Sequence, residues 1–344
     1  MPYYRCGTPS SGGGGGEDPY KDLYKGIVER TLTSIDDNES TSISRYAFYY
    51  YSGLQSANFL NVTNIGQSAF NTCLDLISAN FPNVTYIDIC AFISCYNLSS
   101  INFPNATNIG SSAFGSCNKL SSINFPNVTN IGSSAFSSCR NLISADFPNI
   151  TNIGSGAFGY CSNLSSINFP NVTNIGGSAF NACINLSSAN FPNATNIGQS
   201  AFMYCGNLSS INFPNATNIG NNAFGYCNNL SSINFPNVTN IGGNTFSSCR
   251  NLISADFPNV KLIHVGAFKE CVSFNTLILG SNTICNLANV SSAFNNTAFT
   301  NNQRGGNLYV PQALLEDYKV ANQWSILYAM ENVNFLPIEG SIYE

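Results

Sequence analysis

Charged side chains are scarce in this sequence: Asp, Glu, Lys and Arg make up 8% of the 344 residues, and the formal net charge is −5. Proteins that bind nucleic acid use Lys and Arg to neutralise phosphates, and this chain has no basic stripe for that purpose. No apolar run approaches the roughly 20 residues of a membrane-spanning helix. The opening Met1 to Gly7 lacks the apolar stretch of a secretory signal. We therefore expect neither nucleic-acid binding nor membrane insertion. Classical export is unsupported, which leaves a nonclassical route, a missing native leader or a phage particle assembled in the cytoplasm as explanations.

Groups that could perform catalysis or hold a metal are also few. His264 is the only histidine, and the many serines have no base beside them. Asp146 and Asp256 lie five repeats apart, which is too far for an acid/base pair. There is no Cys-x-x-Cys pair, and the acidic cluster Asp36 to Glu39 lacks the glycine and distal glutamate of a calcium loop. The sequence predicts no catalytic residue, no metal site and no cofactor.

What the sequence does contain is a repeat of 22 residues. An Ala-Phe pair recurs eleven times from Ala47-Phe48 to Ala267-Phe268, with Thr245 once in place of the alanine. A fixed period of this length is typical of stacked supersecondary units, each of which needs its neighbours to complete a core. The period therefore predicts a repeat solenoid of about eleven units.

Each unit begins with a short strand. Leu120, Ile123 and Phe125 follow the spacing L-x-x-L-x-L, so these side chains face inward while Ser122 and Asn124 face outward. The following Pro-Asn ends the strand, because proline has no amide hydrogen and asparagine favours turns.

The rest of the unit completes a roughly triangular coil. Val128 and Ile131 provide a second buried edge, Gly132 is expected to permit a tight bend, and Ala135-Phe136 with Cys139 fills the third side. Stacked coils would pair their strands in parallel along one face.

These motifs resemble the BspA-like, or type-5, leucine-rich repeats: the opening leucine, the Pro corner, the Ile-Gly bend and the Ala-Phe-x-x-Cys return. The resemblance covers about residues 42–274 and implies a right-handed leucine-rich-repeat coil with a parallel strand face. The first unit departs by placing Tyr51 where the others carry cysteine. Val128 stands where ordinary leucine-rich repeats carry asparagine, so we do not expect an internal asparagine ladder.

Both ends differ from the middle, as solenoid ends must if they are to cover the terminal coils. Residues 1–17 contain a glycine-rich stretch and are predicted to be a flexible tether. Residues 18–41 are predicted to form an α-helical N-terminal cap, in which apolar residues from Tyr20 to Val28 recur at helical spacing. Residues 275–344 are predicted to form an α/β C-terminal cap, with strand, helix and strand between Leu308 and Ile338 and with Trp324 in its core.

Ten of the thirteen cysteines, from Cys73 to Cys271, keep the repeat spacing. Because side chains in register point the same way, we expect buried free thiols rather than disulfides. Cys6, Cys90 and Cys285 lie outside this column and are candidates for reactive thiols.

Nine units contain Asn-x-Thr, for example Asn127-Val-Thr129. This tripeptide is an acceptor for N-glycosylation in a eukaryotic secretory pathway. Its regularity equally predicts a structural corner, and the sequence leaves both interpretations open.

The outward strand positions form a neutral, hydrogen-bonding ribbon that is suited to an extended polar ligand through many weak contacts. The predicted ligand-binding residues are Ser100, Asn102, Ser122, Asn124, Ser144, Asp146, Ser166, Asn168, Ser188, Asn190, Ser210, Asn212, Ser232, Asn234, Ser254 and Asp256.

The favoured function is a non-catalytic bacterial surface or secreted adhesion protein that contacts protein or glycan of a host or microbe, as the family resemblance implies. One alternative is a phage structural or receptor-binding protein, since no leader precedes the repeats; a phage particle or the cytoplasm would then be its location. A glycan-acting enzyme is the third hypothesis, although the sequence offers it no acid/base pair.

Overall fold

The computed structural model describes residues 31–300 and 305–338. The predicted tether, the expected helix from Tyr20 to Val28 and Cys6 lie outside these residues. The chain divides into two compact units, residues 1–164 and 165–344. Each unit contains six turns of a parallel-strand solenoid with a repeat of about 22 residues, close to the predicted eleven repeats in total.

In the first unit every turn contributes one longer and one shorter strand. The longer strands are β1 (Ser34–Asp37), β3 (Ser56–Phe59), β5 (Ser78–Asn80), β7 (Ser100–Asn102), β9 (Ser122–Asn124) and β11 (Ser144–Asp146). The shorter strands are β2 (Ser42–Ile43), β4 (Asn64–Ile65), β6 (Tyr86–Ile87), β8 (Asn108–Ile109), β10 (Asn130–Ile131) and β12 (Asn152–Ile153). Each pairing is parallel and joins a residue to the one 22 positions later, as in Asn130 with Asn152.

The second unit repeats this plan and ends differently. Its longer strands are β13 (Ser166–Asn168), β15 (Ser188–Asn190), β17 (Ser210–Asn212), β19 (Ser232–Asn234), β21 (Ser254–Phe257) and β23 (Thr276–Leu279). Its shorter strands are β14 (Asn174–Ile175), β16 (Asn196–Ile197), β18 (Asn218–Ile219), β20 (Asn240–Ile241), β22 (Leu262–Ile263) and β24 (Asn286–Leu287). The last elements are helix α1 (Val290–Ala293), strand β25 (Gly306–Pro311), a 3₁₀ helix (Gln312–Leu314), helices α2 (Leu315–Val320) and α3 (Trp324–Tyr328), and strand β26 (Val333–Ile338).

The core consists of columns of identical side chains. The ring of Phe136 stacks between those of Phe114 and Phe158, with centroids 5.3 and 5.5 Å away. A second column, which includes Phe125 and Phe147, meets the first at steep or tilted angles. Stacked and edge-to-face rings are both favourable aromatic geometries, and these side chains are fully buried. The Ala-Phe period thus places one aromatic layer in every turn.

The glycine that follows the shorter strand has a different role from the predicted bend. A Cβ atom on Gly132 would lie 2.5 Å from the amide nitrogen of Ser111 in the preceding turn. Glycine is therefore needed there because neighbouring backbones approach closely. The left-handed conformations occur nearby at serines, with φ of 56° at Ser134 and 61° at Ser138.

The cysteine column has the predicted character. The ten thiols from Cys73 to Cys271 are free and buried. The Sγ atom of Cys139 donates a hydrogen bond of 3.1 Å to the carbonyl of Phe114. Burial raises the pKa of this thiol to about 12, so the group stays protonated at neutral pH. In the first turn the hydroxyl of Tyr51 occupies this position and accepts a hydrogen bond from the amide of Leu32.

The Asn-x-Thr residues form ladders on the outside of the coil. The side-chain amide of Asn127 donates a 2.8 Å hydrogen bond to the carbonyl of Pro104 in the preceding turn. The hydroxyl of Thr151 donates in the same way to the carbonyl of Thr129. Asparagine thus does form a ladder, one that is exposed rather than internal.

Strands extend on both sides of the predicted repeat range. Strand β1 pairs with β3, so the described first turn begins at Ser34 inside the segment predicted as an N-terminal cap. At the other end β23 and β24 continue the ladders, and the predicted order of strand, helix and strand follows. Trp324 is fully buried, and its Nε1 donates a 2.7 Å hydrogen bond to the carbonyl of Cys285.

Candidate functional site

All sixteen predicted ligand-binding residues lie at the outward positions of the longer strands. Each is exposed or half-buried, while the residue between them, such as Ile123 in β9, faces the core. In-register pairing aligns serine with serine and asparagine with asparagine or aspartate in successive turns. We call this surface the strand face.

The asparagines of the strand face are partly occupied by bonds to one another. The amide of Asn80 donates to the Oδ1 atom of Asn58 at 2.6 Å, and that of Asn102 donates to Asn80 at 2.7 Å. Asn212 donates to Asn190 in the same manner at 2.7 Å. Such a ladder uses one of the two amide hydrogens and leaves the second for a ligand.

The hydrogen-bonded sheet of the strand face is not continuous. In the first unit β7 and β9 belong to separate sheets, and in the second unit β17 and β19 do. The same turns remain bonded on the side that carries the Ala-Phe pairs: the amides of Phe224 and Tyr226 donate to the carbonyls of Thr245 and Ser247 at 2.9 and 2.8 Å. We call that surface the Ala-Phe side. In the first unit the shorter strands β8 and β10 also remain paired. In the second unit β18 and β20 belong to separate sheets, so there the turns separate along both strand ladders and stay bonded along the Ala-Phe side.

Within each unit, the sheet is interrupted where two isoleucines follow one another at the inward position of the strand. Within each unit, paired strands of the Ser-x-Asn/Asp type have alanine at x in at least one partner, as in Ile167 with Ala189. Both interruptions place isoleucine next to isoleucine, Ile101 before Ile123 and Ile211 before Ile233. Isoleucine is branched at Cβ and stiff at χ1, and we infer that two in succession crowd the layer beneath the longer strands. The shorter strands pair isoleucine with isoleucine, as in Ile131 with Ile153, so the effect is specific to the longer strands.

Leucine in the same inner position does not interrupt the sheet. Leu277 of β23 pairs normally with Leu308 of β25. Because leucine branches one carbon further from the backbone, it keeps the main chains free to approach.

The interruption in the second unit opens a cleft of about 490 Å³ in the strand face. Ile211 and Ile233 form part of its lining, and Pro214 and Pro236 lie on one edge. Polar groups of the predicted site surround them: Ser210, Asn212, Ser232, Asn234, Ser254 and Asp256. Six of the sixteen predicted residues are thus brought together around an apolar strip, with a single carboxylate among them.

The interruption in the first unit shows the same separation. The rings of Phe103 and Phe125 lie 6.2 Å apart, against 5.3 Å for Phe81 and Phe103 and 5.4 Å for Phe125 and Phe147. Ile101 is half-exposed as a result, like Ile211.

Two further grooves lie beside exposed isoleucines that directly follow the opening leucine of their turns. Ile253 borders a groove of about 800 Å³, which shares Ser209 with the cleft. Ile77 borders a groove of about 330 Å³ in the first unit, where Asp75 and Lys119 are also present. These grooves were not predicted. The isoleucines themselves are departures from the repeat, because most other turns have serine after the opening leucine, as at Ser121.

Titratable groups do not gather at the strand face. Among residues 31–300 and 305–338, no group of three His, Cys, Asp or Glu side chains could hold a metal ion. Within the same residues no helix combines the length and the apolar character that crossing a membrane requires. Of the thiols outside the column, Cys285 is buried and Cys90 is half-buried, and burial raises the pKa of both.

The repeat matches a known family model. The model described as "BspA type Leucine rich repeat region (6 copies)" matches residues 27–143, 85–205 and 195–309, which together span most of the chain. No curated protein sequence matches the chain.

Several solved structures are similar. The pneumococcal vaccine antigen PcpA shares 17% identity over 90% of this chain and 80% of its own, with a TM-score of 0.53. A leucine-rich repeat protein from Bacteroides ovatus shares 25% identity over 70% of this chain and 82% of its own, with a TM-score of 0.36. A leucine rich cell surface protein from Faecalibacterium prausnitzii shares 22% identity over 73% of this chain and 87% of its own, with a TM-score of 0.40.

Proposed function

We propose, from the premise that this chain belongs to the BspA-type leucine-rich repeat family, that it is a non-catalytic binding scaffold of a bacterial surface. Leucine-rich repeat proteins are typically interaction scaffolds, and members of this family are commonly cell-surface proteins. The adhesion role and the partner are our inference. The family favours this location over the phage particle considered above.

The observation that carries the proposal is the cleft between β17 and β19. A flat ribbon of identical serines and asparagines offers similar contacts at every turn and so little specificity. The cleft combines apolar surface from Ile211, Pro214 and Pro236, above the buried Ile233, with amide and hydroxyl groups around it. Binding sites commonly combine apolar lining with a few placed polar groups.

The ligand that suits this arrangement is an extended, uncharged segment of a partner protein. Its backbone amides and carbonyls would find complementary groups at Asn212 and Asn234, whose side chains are exposed. Small apolar side chains of the segment would contact the isoleucines. Further turns of the strand face would add weak contacts, which sum when one ligand spans several of them.

The test is a binding screen of the full chain against a phage-displayed library of 15-residue peptides and an array of neutral glycans. Selected ligands are then titrated against Asn234→Arg, which places a bulky charge in the cleft, and against Ser133→Arg, a matched control on the exposed Ala-Phe side. We expect peptide ligands that lose about tenfold or more in affinity with Asn234→Arg alone. Selection of neutral glycans only would overturn the protein-partner assignment, and equal effects of the two variants would overturn the cleft.

A further inference from the structure

The first described turn carries a combination of side chains that no other described turn shares, although the position of Tyr50 also holds tyrosine at Tyr160, Tyr204 and Tyr226. Its Ala-Phe pair is flanked by Arg45, Tyr46, Tyr49 and Tyr50. The next turn has Gln67, Ser68, Asn71 and Thr72 in these places, and serine is common there in later turns. These four residues, which we call the tyrosine patch, lie on the Ala-Phe side rather than on the strand face.

The patch is a compact aromatic surface. The rings of Tyr46 and Tyr49 meet edge to face with centroids 5.4 Å apart, and those of Tyr49 and Tyr50 do so at 4.5 Å. Tyr50 is 51% exposed, and Tyr46 and Tyr49 are half-buried. Tyrosine offers a broad apolar face with a hydrogen-bonding hydroxyl at its tip.

Two of these tyrosines occupy a backbone conformation that does not favour them. Tyr46 has φ of 60° and Tyr50 has φ of 58°, where the second turn has the smaller Ser68 and Thr72. A left-handed residue recurs at both positions in the following turns, so the conformation belongs to the repeat, and a bulky side chain there costs free energy. The repeat accepts tyrosine at the position of Tyr50, since Tyr204 and Tyr226 have φ of 63° and 62° there, whereas no later turn has tyrosine at the position of Tyr46.

Arg45 supplies the charge of the patch. Its guanidinium lies over the ring of Tyr46, 4.8 Å from the centroid. The Nη2 atom of Arg45 donates a hydrogen bond of 3.1 Å to the Tyr46 hydroxyl. No carboxylate among the described residues forms an ion pair with Arg45. Within residues 31–300 and 305–338 the other guanidinium donors have no carboxylate partner, and arginine can bind a carboxylate through two parallel hydrogen bonds.

The size of the tyrosine patch favours a sugar over a protein as its partner. A stable protein interface takes about 20 to 30 residues from each side, whereas the patch has four and is bordered in the next turn by small neutral residues. One or two sugar rings match it better. The C–H face of a pyranose packs on exposed aromatic rings by dispersion, and the tyrosine hydroxyls can bond sugar hydroxyls.

We infer that the tyrosine patch is a binding site for an acidic polysaccharide, with a uronic acid carboxylate on Arg45 and the sugar ring against Tyr49 and Tyr50. This site is independent of the strand face and of its partner. Either site can be lost without the other.

The test is isothermal titration calorimetry of the full chain with tetra-galacturonate and with a hyaluronan hexasaccharide, which carries glucuronate. Their carboxyl-reduced forms serve as neutral controls. A poly-glutamate peptide of equal charge tests whether charge alone is sufficient.

Two variants examine the residues. Arg45→Gln removes the charge, and the combined Arg45→Gln, Tyr46→Ser, Tyr49→Asn, Tyr50→Thr variant gives the first turn the residues that the second turn already folds with. Tyr226→Ser, which changes an exposed left-handed tyrosine of the second unit, is the matched control.

We expect at least one uronate to bind with a Kd of about 0.1 to 1 mM and its reduced form to bind about tenfold more weakly or not at all. Arg45→Gln should weaken binding about tenfold, the combined variant should abolish it, and Tyr226→Ser should leave it unchanged. The inference is overturned if neither uronate binds, if the combined variant binds as well as the unmodified chain, or if poly-glutamate binds as tightly as the sugars.

Discussion

The Ala-Phe side and the strand face of the same turns behave differently. Hydrogen bonds from Phe114 to Ala135 and from Phe224 to Thr245 continue across both places where the longer strands separate. The Ala-Phe side has nearly constant residues at its buried positions, whereas the inner position of the longer strand holds isoleucine in some turns and alanine in others. The constant residues of the Ala-Phe side accompany unbroken hydrogen bonding between turns. The variable inner residue of the longer strands accompanies the interruptions of the strand face.

The largest expected effect comes from the core beneath the Ala-Phe side. Phe136→Ala removes a ring that is stacked on both sides and should lower the free energy of unfolding by about 3 to 5 kcal/mol. Ser122→Ala, on the exposed strand face, should change it by less than about 0.5 kcal/mol. Urea unfolding of both variants measures the difference, and equal losses would show that the two sides contribute alike.

A single methyl group tests the close approach of the turns. Gly132→Ala places a Cβ atom 2.5 Å from the Ser111 nitrogen, so neighbouring backbones must move apart at a cost of about 1 to 3 kcal/mol. Ser133→Ala in the same turn is the control, since its side chain is exposed. If melting temperatures of the two variants coincide, the close-approach explanation of this glycine is wrong.

Exchanging isoleucine and alanine should move the interruption of the strand face. Ile233→Ala places alanine next to Ile211 and should allow β17 and β19 to pair, while Ala189→Ile places four isoleucines in succession, from position 167 to 233, and should separate β15 from its neighbours. Hydrogen exchange reports the result: amides of β17 and β19 should become about tenfold better protected in the first variant, and amides of β15 less protected in the second. Unchanged protection in both would exclude crowding of isoleucines as the cause.

The cysteine column has the smallest expected effect on the free energy of unfolding at neutral pH, and this effect grows as the pH rises. The folded pKa of Cys139 is about 12 and the ordinary value is 9.0, so the unfolded chain loses this proton first. The stabilisation is complete below pH 9 and is lost as pH rises from 9 to 12, by about 2 kcal/mol at pH 10.5 for this thiol. Urea unfolding at pH 8 and 10.5 measures how much the free energy of unfolding falls between these pH values, and the fall should be smaller for Cys139→Ala than for the unmodified chain. An equal loss would mean that other groups control alkaline unfolding.

Much of the fold was predictable because its causes are local and repeated. The spacing of Leu120, Ile123 and Phe125 predicts which side chains face inward, and the Cys139 column follows from in-register stacking; both are confirmed. The predicted role of Gly132 was wrong. The contact that requires glycine comes from Ser111 in the preceding turn, so the sequence of a single repeat does not reveal it.

The candidate site was predictable only as a surface. Ser210 and Asn234 were placed correctly on the outside, but the cleft between their strands depends on which residue each inner position meets next. The order of Ile211 and Ile233 carried that signal. The tyrosine patch was visible as a departure at Arg45, Tyr46, Tyr49 and Tyr50, and only the ring geometry shows that the four side chains form one surface.

The 22-residue register has a genetic consequence. The segments 139–148 and 249–258 are identical and lie five turns apart, which indicates that a block of five turns was copied. Since a turn bonds mainly to the turns directly before and after it, unequal recombination between such copies adds or deletes whole turns without creating a mismatched junction. Alleles of this gene should therefore differ in length by multiples of 66 nucleotides, with the flanking first and last turns retained.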